Sequence, residues 1–228
     1  AFAALERARR AAPDNPIPLI ELGRHAFDAE NFPLALELLE QAYKMAPRRL
    51  DVRCEYGRLL SRVARHEDAF EILEDTHLRN PDAIRPLLLL GWARYRAGQS
   101  RRAISDFDTV LEQLPTSIEA HYGRARALID AGEMVDAKRW LHRTIALSPG
   151  HAGALRELAN LKELAPDNPA FAGLIEAVED DAAPPLRRAV LHMAAGASCH
   201  NAEAYGDAFD HYRNGNLLKD AVFDIHSH

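Results

Sequence analysis

No apolar run in these 228 residues approaches the roughly 20 needed to cross a bilayer. The longest pure leucine run, residues 87–90, is followed at once by Gly91 and then by Arg94. No basic segment followed by an apolar stretch opens the chain, so no signal peptide is expected and a membrane partner is not predicted. There is no initiator methionine, and the opening Ala1-Phe2-Ala3 reads as a fragment or a processed product. Cysteine is scarce: Cys54 and Cys199 lie far apart, which argues against a disulfide framework and reads as cytoplasmic. Lysine and arginine form no tract and the formal net charge is −6, which argues against a nucleic-acid footprint.

Motifs of chemistry are equally sparse. Eleven histidines include no HExxH and no paired Cys-x-x-Cys context, so no metal is expected. Ser61, Ser100, Ser105 and Ser148 lack a nucleophile elbow. No strand leads into a Gly-rich turn and a helix of the kind that cradles phosphate, so no cofactor is expected either. No catalytic residue is assigned. His192 reads as a hydrogen-bonded core or interface histidine, Cys54 as a partly buried thiol on an inner helix face, and His226 and His228 as part of a frayed tail.

What the chain does have is a period. Pro13, Pro47, Pro81, Pro115 and Pro149 stand 34 residues apart, and twelve residues before each stands Ala1, Ala35, Ala69, Ala103 or Ala137. Gly23, Gly57 and Gly91 keep the same spacing, as do Leu5, Leu39, Leu73, Phe107 and Leu141. Small residues mark close helix crossings, large apolar ones fill the layer beside them, and proline opens the turn into the next hairpin. A single hairpin cannot bury its apolar face, so stacking must supply the core.

On these residues the chain resembles the tetratricopeptide repeat family. Leu19, Leu22, Gly23, Ala35, Leu39, Ala42 and Pro47 match one repeat, Tyr56, Gly57, Leu60, Ala69, Leu73 and Pro81 the next, and Leu87, Leu90, Gly91, Ala103, Phe107 and Pro115 a third. The fourth departs, with Arg124-Ala125 where Leu-Gly is usual, yet Gly132, Ala137, Leu141 and Pro149 hold its register. The resemblance implies an all-α superhelical solenoid of antiparallel hairpins with about thirteen helices and no strands. Its expected divisions are the second half of a truncated repeat at 1–15, four regular repeats over 16–151, irregular repeat-like hairpins over 152–222 and a tail at 223–228. Residues 152–165 are expected to form one first helix.

The family's fold implies a concave face lined by the first helices. One stripe on it is Arg24, Arg58, Trp92 and Arg126; a turn away stand Ile20, Cys54, Leu88 and Tyr122, then Phe27, Ser61, Tyr95 and Ile129, with Arg62 and Arg96 adding charge. Arginine forks grip carboxylates and aromatic faces stack on apolar or cationic groups, so one reading is a groove for an extended peptide or partner protein, acidic and apolar in character. The other is that these arginines pair with Glu21, Glu55 or Glu119 and only solubilise the face. The Lys/Asn carboxylate clamp of chaperone-binding relatives is missing, with Ile20 and Arg24 at two of its places.

Residues 166–219 carry a second resemblance. Pro169, Leu174, Leu191, His192, Gly196, Ala208, Phe209, Tyr212, Gly215, Asn216 and Lys219 look like the junction in bacterial proteins where such repeats precede a sulfotransferase domain. It implies a catalytic domain beyond His228 and a recruitment role for these residues. A third alternative is a self-associating scaffold, since Phe2, Leu5 and Ala8 of the opening half-hairpin lack their usual partner; the oligomeric state is left open.

Overall fold

The computed structural model describes residues 2–224, with side chains to residue 222. Thirteen helices and no strand occupy the described residues: α1 (Phe2–Ala11), α2 (Ile17–Asp28), α3 (Phe32–Met45), α4 (Leu50–Arg62), α5 (His66–Arg79), α6 (Ile84–Arg96), α7 (Ser100–Gln113), α8 (Ile118–Asp130), α9 (Met134–Leu147), α10 (Ala152–Asn160), α11 (Pro169–Glu179), α12 (Pro185–Asn201) and α13 (Tyr205–Asp224). They divide into two compact units, residues 1–123 and 124–228, with the boundary inside α8. Residues 223 and 224, expected in the tail at 223–228, belong to α13, which runs to Asp224. His226 and His228 lie outside the described residues.

In the first unit each helix from α1 to α6 packs on its successor, and the first helix α4 also packs on α2 and on α6. Apolar spacing drives this: Leu19, Leu22, Leu39, Leu59, Leu60, Leu73 and Phe107 lie at most 3% exposed. The glycine marker has a steric cause. A Cβ on Gly23 would sit 2.6 Å from Leu39, on Gly57 2.7 Å from Leu73, and on Gly91 2.8 Å from Phe107, in every case the large residue 16 positions on. The second unit repeats the device once, where Gly196 on α12 faces Tyr212 on α13 at 2.7 Å. Helix α1 packs on α2 but contains no buried residue, and Phe2 is 48% exposed.

First helices end alike. The amides of Asn31, Arg65, Gln99, Glu133, Glu163 and Ala204 each donate to the carbonyl five residues back, at 2.8–2.9 Å. The residue before each donor has positive φ: Glu30, Ala64, Gly98, Gly132, Lys162 and Glu203. This is the left-handed cap that satisfies orphan carbonyls at a helix end. The first four positions are 34 apart, but Lys162 falls four short of the period. Helix α10 therefore stops at Asn160, not near 165 as the periodicity predicts, leaving Leu161 as its C-cap residue. Beyond it α12, not α11, supplies the main packing against α10, and α11 rests on α12.

The left-handed region costs a non-glycine residue roughly 1–2 kcal/mol, against roughly 0.5–1 kcal/mol for the extra freedom glycine loses on folding. Ala64, at φ 61°, is where this can be measured. Ala64→Gly is expected to stabilise the protein by about 0.5–1 kcal/mol in urea unfolding. Gly98→Ala, at φ 75° with nothing within 4 Å of the added carbon, is expected to shift the midpoint the other way.

Buried polar groups are tied to the same frame. Arg53, 8% exposed, donates to Thr76 Oγ1 (2.6 Å) and to the carbonyls of Pro47 (3.0 Å) and Ile72 (3.1 Å), and pairs with Asp75 (2.5 Å). His121 stands two periods on and meets the Pro115 carbonyl at 2.8 Å, so both residues tie a first helix to the preceding proline turn. Asp106 is buried against Arg94; burial pushes its carboxyl up to about 6 despite that partner. In the second unit His192 is buried and its Nδ1 lies 3.2 Å from Nδ1 of His211. Burial lowers both pKa values, and the ring-to-ring bond needs at least one neutral ring.

Candidate functional site

In the first unit, Glu55 of α4 gathers arginines from three consecutive first helices. Its carboxylate accepts from Arg24 Nε of α2 (2.9 Å), Arg58 Nε of α4 (3.0 Å) and Arg85 of α6. The Glu55 side chain is 1% exposed, while Arg24, Arg58 and Arg85 are 30%, 26% and 49% exposed. Arg24 also holds Glu21 at 2.6 Å. Burial opposes the charge on Arg24, but the Glu55, Glu21 and Asp51 carboxylates together raise its pKa above the ordinary value. A cavity of about 490 Å³ opens here, lined by these three arginines, Glu55, Leu88, Leu89, Asp28 and Glu119. The structure thus brings Arg24, Arg58 and Leu88 of the predicted stripe together, and it neutralises the two arginines internally.

Farther along α6 the rings collect. Trp92 stands edge-on to Tyr95 (5.7 Å) and Phe107 (5.5 Å) and tilted to Tyr122 (6.1 Å). Arg58 lies over the Phe27 ring at 3.8 Å, Arg62 over Phe32 at 5.2 Å and Arg96 over Trp92 at 5.8 Å. Phe27, Leu88, Trp92, Tyr95 and Tyr122 are all half-buried, so part of each faces outward.

Three predicted lining positions are not surface. Ile20, Cys54 and Ser61 are 2%, 0% and 2% exposed, because their helical phase turns them into the neighbouring hairpin. Cys54 is therefore fully rather than partly buried, and burial pushes its thiol up to about 11. Arg126 belongs to the second unit, where its Nε lies 3.8 Å from Glu157. Cys54 and Cys199 are both buried free thiols. Among the described residues no three His, Cys, Asp or Glu side chains converge as a metal site, and no helix is long and apolar enough to cross a membrane.

Arg85 and Asp28 were not legible as site residues. The places 34 residues either side of Arg85 hold Asp51 and Glu119, so no repeated charge advertises it. A signal did exist for Glu55: Glu21, Glu55 and Glu157 share one register, and Arg24, Arg58 and Arg126 another three residues on. That offset produces the pairs Glu21–Arg24 and Glu55–Arg58 within a helix, and Arg24–Glu55 and Arg126–Glu157 between repeats.

Stacked helical hairpins of 34-residue period, without strands, define a helical repeat protein. The tetratricopeptide repeat family model matches residues 1–49, 20–83 and 88–152, and the chain belongs to that family. Solved structures agree on the fold. A tetratricopeptide repeat protein from Parabacteroides merdae is 18% identical, with 96% of this chain and 85% of that one covered and a TM-score of 0.66. A thermophilic TPR protein of Thermus thermophilus is 18% identical over 89% of this chain and 100% of its own, with a TM-score of 0.63. YrrB, a TPR protein with an unusual peptide-binding site, is 17% identical over 80% and 94%, with a TM-score of 0.52. A search among curated proteins returns no significant match. The resemblance of residues 166–219 to sulfotransferase-linked repeats is supported by none of these comparisons.

Proposed function

We propose that the chain is a protein-interaction module and that the first-helix face of residues 1–123 receives an extended peptide or partner segment. The observation that carries this reading is the half-buried ring cluster of Trp92, Tyr95 and Tyr122 beside the 490 Å³ cavity at Leu88. Flat rings left partly open next to a concave, fixed polar floor offer apolar contact at low entropic cost. Glu55 supports the same reading from beneath, because three bonded guanidiniums hold the floor in one arrangement before any ligand arrives. The existence of a related fold with a peptide-binding site, YrrB, is consistent with it.

The occupant's character follows from the charges. Arg24, Arg58 and Arg85 face Glu55, Glu21, Asp28 and Glu119, so the cavity itself is not basic, and its occupant is an apolar side chain with polar main chain. Any acidic preference arises farther along the face. Peptides selected by phage display against the protein are expected to carry a large apolar residue. Trp92→Ala should weaken the best of them at least tenfold, as truncation of an interface anchor does. Tyr122→Ser should weaken them too, while Leu78→Ala, at a 78% exposed site on α5, should not. Selected peptides that bind all three variants like the parent would place the interface elsewhere.

A further inference from the structure

Most arginines on the first-helix face of residues 1–123 have a carboxylate at hydrogen-bond distance. Arg24, Arg58 and Arg85 all hold Glu55, the first two at 2.9 and 3.0 Å. Two depart from this pattern, and they occupy the same register, 34 residues apart: Arg62 in the last turn of α4 and Arg96 in the last turn of α6. Arg96 has no carboxylate within ion-pair distance among the described residues. Its polar contact is Nη1 to Ser61 Oγ at 3.5 Å, a long bond to a hydroxyl that is itself 2% exposed. Arg62 has Glu30 at 3.7 Å, and that glutamate side chain is 76% exposed and so costs little to displace.

We propose that Arg62 and Arg96 form the anion site of this face and take one oxyanion, a carboxylate or phosphate, from the docked segment. The proposal rests on the peptide-binding reading above and fixes where its acidic side chain goes. Two guanidinium forks with unused N–H donors can each meet an oxyanion in two-point fashion. Burial, and then repulsion from Arg62 and Arg58, holds the Arg96 pKa below its ordinary value. An arriving anion relieves that repulsion. The helix C-termini on which both residues sit account for part of the charge preference, since cations are favoured there, but they supply no partner for the outward N–H groups. Arg96 also lies over Trp92, so an acidic residue bound here would adjoin an apolar one on the ring cluster.

The test titrates the whole protein with inorganic phosphate and, separately, with N-acetylglutamate amide, following arginine Nε–H resonances by NMR. Saturable shifts at Arg62 and Arg96 are expected with at least one probe, and the responding probe tells carboxylate from phosphate. Arg96→Gln should weaken binding at least fivefold, and Arg139→Gln, at an exposed arginine paired with Asp136 in the other unit, should leave it unchanged. No saturable shift with either probe, or equal response at Arg139, overturns the site; a loss of stability in Arg96→Gln with unchanged anion binding leaves it only a helix-end role. Selected peptides that need Trp92 but bind Arg62→Gln and Arg96→Gln like the parent also overturn it while leaving the docking face intact. Anion binding by these arginines with no peptide selected would sink the docking reading and keep the site.

Discussion

Replacing Glu55 by glutamine should cost about 2–4 kcal/mol of stability, although the two side chains have nearly the same shape. Removing one member of a buried ion pair typically costs about 3–5 kcal/mol, because the charge left behind is stranded. Here the residues left behind are three guanidiniums on α2, α4 and α6, between a quarter and a half exposed, which can turn partly to water and so lower the figure. Glu21→Gln is the comparison. That carboxylate is 40% exposed and holds only Arg24, so its loss should cost under about 1 kcal/mol, as for surface pairs. Urea unfolding monitored by circular dichroism separates the two. With a slope of about 1–3 kcal/mol per molar, Glu55→Gln should lower the midpoint by about 1–2 M and Glu21→Gln by a few tenths. Equal small shifts would mean that the three arginines are solvated as well without Glu55 as with it. The functional corollary is separate from stability: the cavity floor at Leu88 and Leu89 is lined by the same arginines, so a protein still folded with Glu55→Gln should bind selected peptides more weakly.

How much of this was readable beforehand follows from which features repeat. The 34-residue register of Gly23, Gly57 and Gly91 with Leu39, Leu73 and Phe107 is a steric rule written in residue types, and the structure contains it at 2.6–2.8 Å. The left-handed caps obey the same period but were hidden at Glu30 and Ala64, because those residues do not advertise positive φ as Gly98 and Gly132 do. The early end of α10 was hidden for a related reason: the cap moved to Lys162, a residue type with no preference for that conformation. One element length changed and the register after residue 160 changed with it. The site was legible as a list and not as an arrangement. Arg24, Arg58, Glu21 and Glu55 all stood in view, but whether arginine turns outward or to glutamate depends on side-chain torsions that a spacing does not encode. Arg85 had no repeated counterpart at all, and Arg62 and Arg96 gained their meaning only from how weakly carboxylates hold them: among the described residues Arg96 has none within ion-pair distance, and Arg62 has the exposed Glu30 at 3.7 Å.

Phe107 offers the sharpest test of how packing and the ring cluster are joined. It is fully buried on α7, and both Gly91 of α6 and Gly123 of α8 yield to it: an added Cβ would lie 2.8 Å from its ring at the first and 2.5 Å at the second. Phe107→Ala should therefore cost about 3–5 kcal/mol, the range for an aromatic removed from a core. Gly123→Ala alone should also destabilise, by about 1–3 kcal/mol of overpacking. Together they should not add. With the ring gone the new methyl has room, and alanine's advantage over glycine in a helix, roughly 1 kcal/mol, should reverse the sign of the second substitution. A double-mutant cycle in urea is expected to give a coupling of about 2–3 kcal/mol; strict additivity would mean that α8 does not rest on this ring. The same cycle reports on the docking face, since Trp92 leans on Phe107 at 5.5 Å and on Tyr122, the neighbour of Gly123, at 6.1 Å. In Phe107→Ala the Trp92 indole loses its backing, so its emission should move to longer wavelength in the folded state and peptide affinity should fall, and refilling the space from Gly123 should restore stability more fully than it restores either of those.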